Sequence, residues 1–145
     1  MHELNFSTDS IEYINMENCV FCKVAKGEIP HNRVYEDENF VAFLDINPVS
    51  DGHTLIIPKK HIVWMQEADD ETISGIFKLT KKLMQALKTA MKCDYISISI
   101  VGKDVSHFHI HLIPKHLEDG LAQFPTKKYK EGEANKVAKK IISAL

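Results

Sequence analysis

The stretch from His107 to Lys115, HFHIHLIPK, places a histidine at three alternate positions and then reaches a proline. Successive side chains of a β-strand point to opposite faces of the sheet. His107, His109 and His111 would therefore share one face, about 6.6 Å apart from one to the next. The apolar residues between them would take the other face and pack into the core: Phe108, Ile110 and Leu112. We expect a strand, Ser106 to Ile113, that presents imidazoles as a row.

Two kinds of chemistry suit such a row of imidazoles. Adjacent imidazoles on one face can bind a single catalytic metal ion. Alternatively, a neutral imidazole is itself the nucleophile, with its second ring nitrogen holding a proton in a hydrogen bond. Flanking histidines would then stabilise charge on the electrophile, for which phosphorus is well suited. The purely structural alternative is three core histidines, each with its own partner.

The remaining patterns predict an α+β fold, an antiparallel β-meander with helices on one side. A helical turn follows Cys19, a long helix with an apolar stripe begins near Asp69 or Asp70 and runs to about Met91, and a C-terminal helix starts near Glu131. The other predicted strands are Asn32–Glu36, Phe40–Leu44, His53–Ile57 and Tyr95–Val101. We interpret residues 1–15 as an N-terminal extension and residues 16–145 as a single domain.

Composition limits the classes of partner. The 145 residues are 44% hydrophobic and carry a net charge of −2, so the basic excess of a general nucleic-acid binder is missing. No apolar run approaches the roughly 20 residues that span a bilayer, and the N-terminus does not resemble a secretory signal. Three cysteines are too few for a disulfide scaffold. These features predict a cytoplasmic protein with no nucleic-acid or membrane partner.

Three segments together resemble the histidine-triad (HIT) family. They are CVFCKVAKGEIP at 19–30, VYEDENFVAFLDINPVSDGHTLIIPKKHI at 34–62 and VSHFHIHLIP at 105–114. The resemblance covers roughly residues 17–116. It implies a nucleotide-binding hydrolase or transferase that acts at an α-phosphate and forms a homodimer around antiparallel sheets.

The resemblance also implies roles for individual residues. His109 would be the nucleophile that takes the nucleotidyl group, His111 would contact the phosphate, and His53 would support the triad. Asp45 would accept hydrogen bonds from the ribose hydroxyls, and Ile46 would line the nucleoside pocket. Without the resemblance, Asp45 is equally a residue that caps the following turn, and His53 a loop histidine.

The cysteines resemble the zinc-binding branch of the family, in which CxxC is completed by two histidines. The matching residues are Cys19, Cys22, His61 and His107. Four protein ligands make a closed tetrahedral site, which is structural because no position is left for water. The alternative is that Cys19 and Cys22 are a pair of buried free thiols. We interpret Cys93 as a packed cysteine as well. No catalytic cofactor is expected.

One segment departs from the family pattern. Many relatives carry an Asn- and Gly-rich loop with a Gln before the triad, whereas this chain has SISIVGKDVSH at 97–107. Ser106 is a candidate to replace one of the missing nucleotide-binding donors and Lys103 another, and turn chemistry explains both equally well. Because of this difference in sequence, the preferred leaving group is not predicted.

The function we predict is cleavage at the α-phosphate of a small-molecule nucleotide through a covalent nucleotidyl-His109. Nucleoside phosphoramidates, adenylates of small molecules and dinucleoside polyphosphates are the candidate substrates. Two alternatives stay open from the sequence. One is a catalytically weak nucleotide-binding module, and the other is a metal-dependent hydrolase that uses the triad as ligands.

Overall fold

The computed structural model describes residues 16–120 and 124–145, and the predicted N-terminal extension lies outside them. The helices are α1 (Val20–Ala25), α2 (Asp70–Met91) and α3 (Glu133–Ile142), with short 3-10 helices at Met65–Glu67 and Leu117–Asp119. The strands are β1 (Arg33–Glu36), β2 (Phe40–Leu44), β3 (Thr54–Pro58), β4 (Tyr95–Ser99) and β5 (Ile110–Lys115). The predicted α+β class is confirmed.

The five strands form one sheet in the order β1-β2-β3-β5-β4, and every neighbouring pair is antiparallel. The antiparallel sheet matches the prediction, but its spatial order departs from chain order at one place. Because β5 lies between β3 and β4 and is antiparallel to both, β3 and β4 are parallel to each other. Parallel strands need a long crossover, and α2 supplies it.

The sheet separates two apolar clusters, one on each face. Alternate residues of β2 divide between them: Phe40 and Ala42 pack on the α2 side, and Val41 and Phe43 on the α1 side. Helices were expected on one side only, and α1 is the exception. The third helix, α3, buries none of its side chains in this chain.

The long helix begins where the sequence predicted. The carboxylate of Asp69 caps α2 by accepting a hydrogen bond from the Thr72 backbone N–H at 2.7 Å. The apolar stripe of α2 then packs against the α2 face of the sheet, and the helix ends at Met91, before Lys92 in the left-handed conformation. Local capping and periodicity agree here with the tertiary packing.

The last strand begins later than predicted, at Ile110 instead of Ser106. The β3–β5 ladder pairs Ile56 with Ile110, and the next positions along β3 lead to Pro58, which has no N–H to donate. The chain before β5 finds other partners, and the Phe108 N–H donates to the Ile62 carbonyl at 2.6 Å. Two of the three triad histidines therefore lie on an irregular segment just before the strand.

The loop before β3 depends on a glycine. Gly52 has φ +84°, and a Cβ there would lie 2.7 Å from Met91 Sδ and 3.3 Å from Pro114 Cγ. We expect Gly52→Ala to lower the free energy of unfolding by about 2 kcal/mol, because left-handed strain and crowding add. Urea unfolding measures this loss. Gly27→Ala, with φ +75° and no neighbour within 4 Å, is the matched control for strain alone. Equal losses in the two variants would show that the contact with Met91 costs nothing.

A membrane-spanning segment is not found among the helices of residues 16–120 and 124–145, since none is both long and apolar enough.

Candidate active site and metal centre

The histidine row lies on the α1 face of the sheet, and its middle member is held in one tautomer. His109 is 4% exposed and packs edge-on against the Phe21 ring, with centroids 5.1 Å apart. Its Nδ1 lies 2.6 Å from the carbonyl oxygen of His107. A carbonyl only accepts, so Nδ1 carries the proton and donates. The lone pair is therefore on Nε2, the nitrogen that a nucleophilic imidazole needs free.

A hydrogen-bond chain fixes two further imidazoles. The Val49 backbone N–H donates to His53 Nδ1 at 3.1 Å, so the proton of the neutral His53 ring is on Nε2. That N–H in turn donates to His111 Nδ1 at 2.9 Å. His111 must then carry its own proton on Nε2. These hydrogen bonds leave the Nε2–H of His111 as a hydrogen-bond donor, which contact with a phosphate oxygen requires.

Burial keeps these two rings neutral. Loss of hydration lowers the pKa of His53, and the nearby Asp45 carboxylate offsets only part of the effect. Burial is also the largest cause that lowers the pKa of His111, followed by the neighbouring imidazoles of His109 and His53. The Asp45 Oδ2 atom lies 3.6 Å from His53 Nε2 and 4.0 Å from His111 Nδ1. Neutral rings are the condition for the tautomers assigned above.

Asp45, His53 and His111 bring three potential metal ligands within 4.8 Å of one another, but their hydrogen bonds do not suit a cation. A metal on His53 Nε2 would force the proton onto Nδ1, where it would face the N–H of Val49. Two donors would then oppose each other in a buried place. This arrangement favours a nucleophilic use of the triad over the metal-dependent alternative.

A cavity of about 480 Å³ opens beside these histidines. Five of the predicted site residues line it: Asp45, Ile46, His53, His109 and His111. The lining also includes apolar residues: Phe21, Val24, Ile29, Phe43 and Leu55. The combination of an apolar wall with a few polar groups is typical of small-molecule sites.

Ser106, predicted to bind nucleotide, does not line this cavity. It lies on a neighbouring groove together with Cys19 and His61. Asp104, in the segment that departs from the family pattern, lines both the cavity and that groove. The aromatic wall formed by Phe21 and Phe43 was also missed. No local pattern distinguishes a core phenylalanine from one that faces a cavity.

A second cluster consists of the four residues that the sequence predicted to bind a metal ion. All four ligand atoms of Cys19, Cys22, His61 and His107 lie within 4.8 Å of one another. Cys22 Sγ is 3.2 Å from His61 Nδ1 and 3.6 Å from His107 Nδ1, and Cys19 Sγ is 3.4 Å from His107 Nδ1. Tetrahedral zinc, with bonds of about 2.3 Å to sulfur and about 2.0 Å to nitrogen, separates such ligands by about 3.5 Å. The distances fit that ion.

The surroundings of the cluster also fit a metal. His107 Nε2 donates a hydrogen bond to the Pro58 carbonyl at 2.8 Å. The unprotonated Nδ1, which faces the two sulfurs, is therefore free to bind a metal ion. Burial lowers the pKa of His107 to about 4, so the ring is neutral as a ligand must be. Burial also raises the pKa of the Cys22 thiol to about 12. A bound cation would compensate a thiolate at this place.

Several known proteins are similar to this chain in sequence. The HIT domain family matches residues 26–118. An uncharacterized HIT-like protein of Methanocaldococcus jannaschii is 42% identical over 106 residues, 70% of this chain and 82% of that protein. Adenosine 5′-monophosphoramidase of Saccharomyces cerevisiae is 34% identical over 134 residues, 88% of this chain and 82% of that enzyme.

Solved structures give the same result. A HIT family protein from Bacillus subtilis superposes with a TM-score of 0.80 at 34% identity, covering 88% of this chain and 97% of that one. A Zn-bound histidine triad family protein from Mycobacterium smegmatis has a TM-score of 0.69 at 32% identity, covering 90% and 99%. With its motifs, its sheet and its histidine row in agreement, the chain belongs to the HIT domain family.

Proposed function

We propose that this protein hydrolyses nucleotides at the α-phosphate, or transfers the nucleotidyl group, through a covalent nucleotidyl-His109 intermediate. One observation carries the proposal: His109 is locked in the Nδ1–H tautomer by the His107 carbonyl and lines a cavity with its Nε2 lone pair free. The family's phosphoramidase relative from yeast supports the same class of reaction.

The first step forms a bond between His109 Nε2 and the α-phosphorus while the bond from phosphorus to the leaving group breaks. The leaving atom keeps the electron pair and takes a proton from solvent. The imidazole becomes a cation that retains its Nδ1 proton, and the His107 carbonyl stabilises that charge at 2.6 Å. In the second step water attacks phosphorus and loses a proton while the bond from phosphorus to His109 Nε2 breaks. The electron pair of that bond returns to Nε2, so the nucleotide is released and His109 is neutral again.

The other polar residues of the cavity position the substrate and stabilise charge on the phosphate. His111, with its proton on Nε2, donates to a phosphate oxygen as negative charge grows there. His53 acts through His111 and is a positioning residue. Asp45 accepts from the Asn47 backbone N–H through Oδ1, and its second oxygen would accept from the ribose hydroxyls. Ile46, 87% exposed, would cover the nucleoside at the mouth of the cavity.

We further propose a structural zinc ion on Cys19, Cys22, His61 and His107. It would supply no chemistry to the reaction, because four protein ligands close its coordination. Its effect would be mechanical. It would tie α1 and the loop after β3 to His107, whose carbonyl orients the nucleophile.

The proposal includes a homodimer. The edge strand β4 and the residues after it leave Ile98, Ile100 and Val101 substantially exposed, and a second copy would cover them. The cytoplasmic location stays a prediction from sequence.

The direct test of the proposed reaction is release of AMP from adenosine 5′-phosphoramidate by the purified protein. We expect turnover that continues during brief treatment with a chelator, because the reacting groups include no metal. AMP that binds tightly without any turnover of phosphoramidate, adenylate or dinucleoside polyphosphate would contradict the proposal and favour a binding module instead.

A further inference from the structure

Asp104 stands where two open spaces meet. It lines the nucleotide cavity with His109 and His111, and it also lines the neighbouring groove of about 500 Å³ with Val63 and Ser106. Its charge acts on the phosphate-contacting residue, since the Asp104 carboxylate is one of the groups that raise the pKa of His111. A group that leaves the α-phosphorus along the groove would pass this carboxylate.

The charges around the cavity all have one sign. Among the described residues that line the cavity and the groove, the carboxylates are Asp45 and Asp104, and none is a lysine or arginine. Lys103 is exposed and lines neither space. His53 and His111 are held neutral by burial, as described above. In the proposed reaction, the group of this lining that binds an anion is the His111 Nε2–H, which contacts the single α-phosphate.

This distribution discriminates between leaving groups by charge. A polyphosphate leaving group brings several negative charges, which cationic side chains normally neutralise. Here such a group would meet a carboxylate in place of a cation. An amine that carries a second, positively charged group would instead be attracted to Asp104.

We propose that Asp104 is a specificity residue that makes this protein select phosphoramidates of cationic amines and disfavour anionic leaving groups. The inference rests on the proposed nucleotidyl transfer and names the substrate class of that same site. It assigns a use to the segment that departs from the family pattern, where the sequence alone left the leaving group open.

The test uses three adenosine 5′-phosphoramidates of two-carbon amines that end in an ammonium, a hydroxyl or a carboxylate group. We measure kcat/KM for each by AMP release. The wild type should favour the ammonium-ended over the carboxylate-ended substrate by about tenfold at low salt, as expected for charges separated by several ångströms near a surface. Higher salt should reduce this ratio because Asp104 is exposed.

Two variants separate the charge of Asp104 from the reactivity of each amine. Asp104→Asn should reduce the preference to about threefold or less, and Asp104→Lys should reverse its direction. Any effect of either substitution on His111 is common to all three substrates and cancels in the ratio. The matched control is Asp51→Asn, an exposed carboxylate that lines neither space. It should leave the ratio unchanged. Circular dichroism verifies that the variants fold.

The outcomes distinguish this inference from the proposed reaction. If AMP is released from all three substrates and the ratio is the same in wild type, Asp104→Asn and Asp104→Lys, the role of Asp104 is wrong and the reaction stands. If no substrate gives AMP, the proposed reaction fails and the inference fails with it. A ratio that follows the charge at position 104 supports both.

Discussion

His109→Ala should abolish the nucleotidyl intermediate and lower kcat for AMP release by at least about a thousandfold. The loss is this large because the substitution removes the atom that forms the bond to phosphorus, and neither His53 nor His111 offers a free lone pair in its place. Both nitrogens of His53 are engaged, and His111 presents a proton to the cavity instead of a lone pair. Intact-protein mass spectrometry after brief mixing with adenosine 5′-phosphoramidate measures the adduct directly.

Two further variants make the result specific. His109→Gly leaves a space shaped for an imidazole, so added free imidazole should restore part of the AMP release while the protein itself stays unmodified. His116→Ala removes a partly exposed histidine that does not line the cavity, and it should keep both adduct and rate. AMP release that is equally fast in wild type and His109→Ala would exclude His109 as the nucleophile.

Cys22→Ser should eliminate stoichiometric zinc and lower the melting temperature by more than about 10 °C. A structural zinc site contributes its binding free energy to folding, on the order of 10 kcal/mol in small domains. Here the apolar core would stand without it, so partial loss is expected instead of complete unfolding. Elemental analysis gives the metal content, and differential scanning fluorimetry with and without chelator gives the shift.

The third cysteine provides the control. Cys93 is buried like Cys22, but it lies outside the cluster of metal ligands. Cys93→Ser should retain zinc and lose only about 1–2 kcal/mol for a hydroxyl in an apolar place. A chelator should lower the stability of wild type and of Cys93→Ser, and it should leave Cys22→Ser unaffected. Zinc content that is equal in all three proteins would contradict the proposed site.

The cluster of Cys19, Cys22, His61 and His107 is mechanically linked to the triad, and this link shapes both expectations. His107 contributes Nδ1 to the cluster, and its carbonyl accepts the His109 proton at 2.6 Å. Loss of the metal should therefore lower the thermal stability at once. It should lower the turnover rate only slowly, as the position of His109 changes.

Short-range patterns in the sequence determined much of this molecule. The apolar stripe and the Asp69 cap specify α2, and alternation specifies the sheet faces, because both depend only on neighbours a few residues apart. The motifs of the family indicated the members of the histidine row and the four residues of the cysteine and histidine cluster. Side-chain chemistry at short spacing carries that information.

Only the tertiary structure decided how these parts meet. The insertion of β5 between β3 and β4 depends on pairing between strands that are far apart in the chain. The late start of β5 at Ile110 follows because Pro58 offers no N–H to the segment before it. The tautomer of His111 depends on His53, 58 residues away in the chain. Folding also places Asp104 on the lining of the same cavity as His111, and no local pattern encodes that proximity through space.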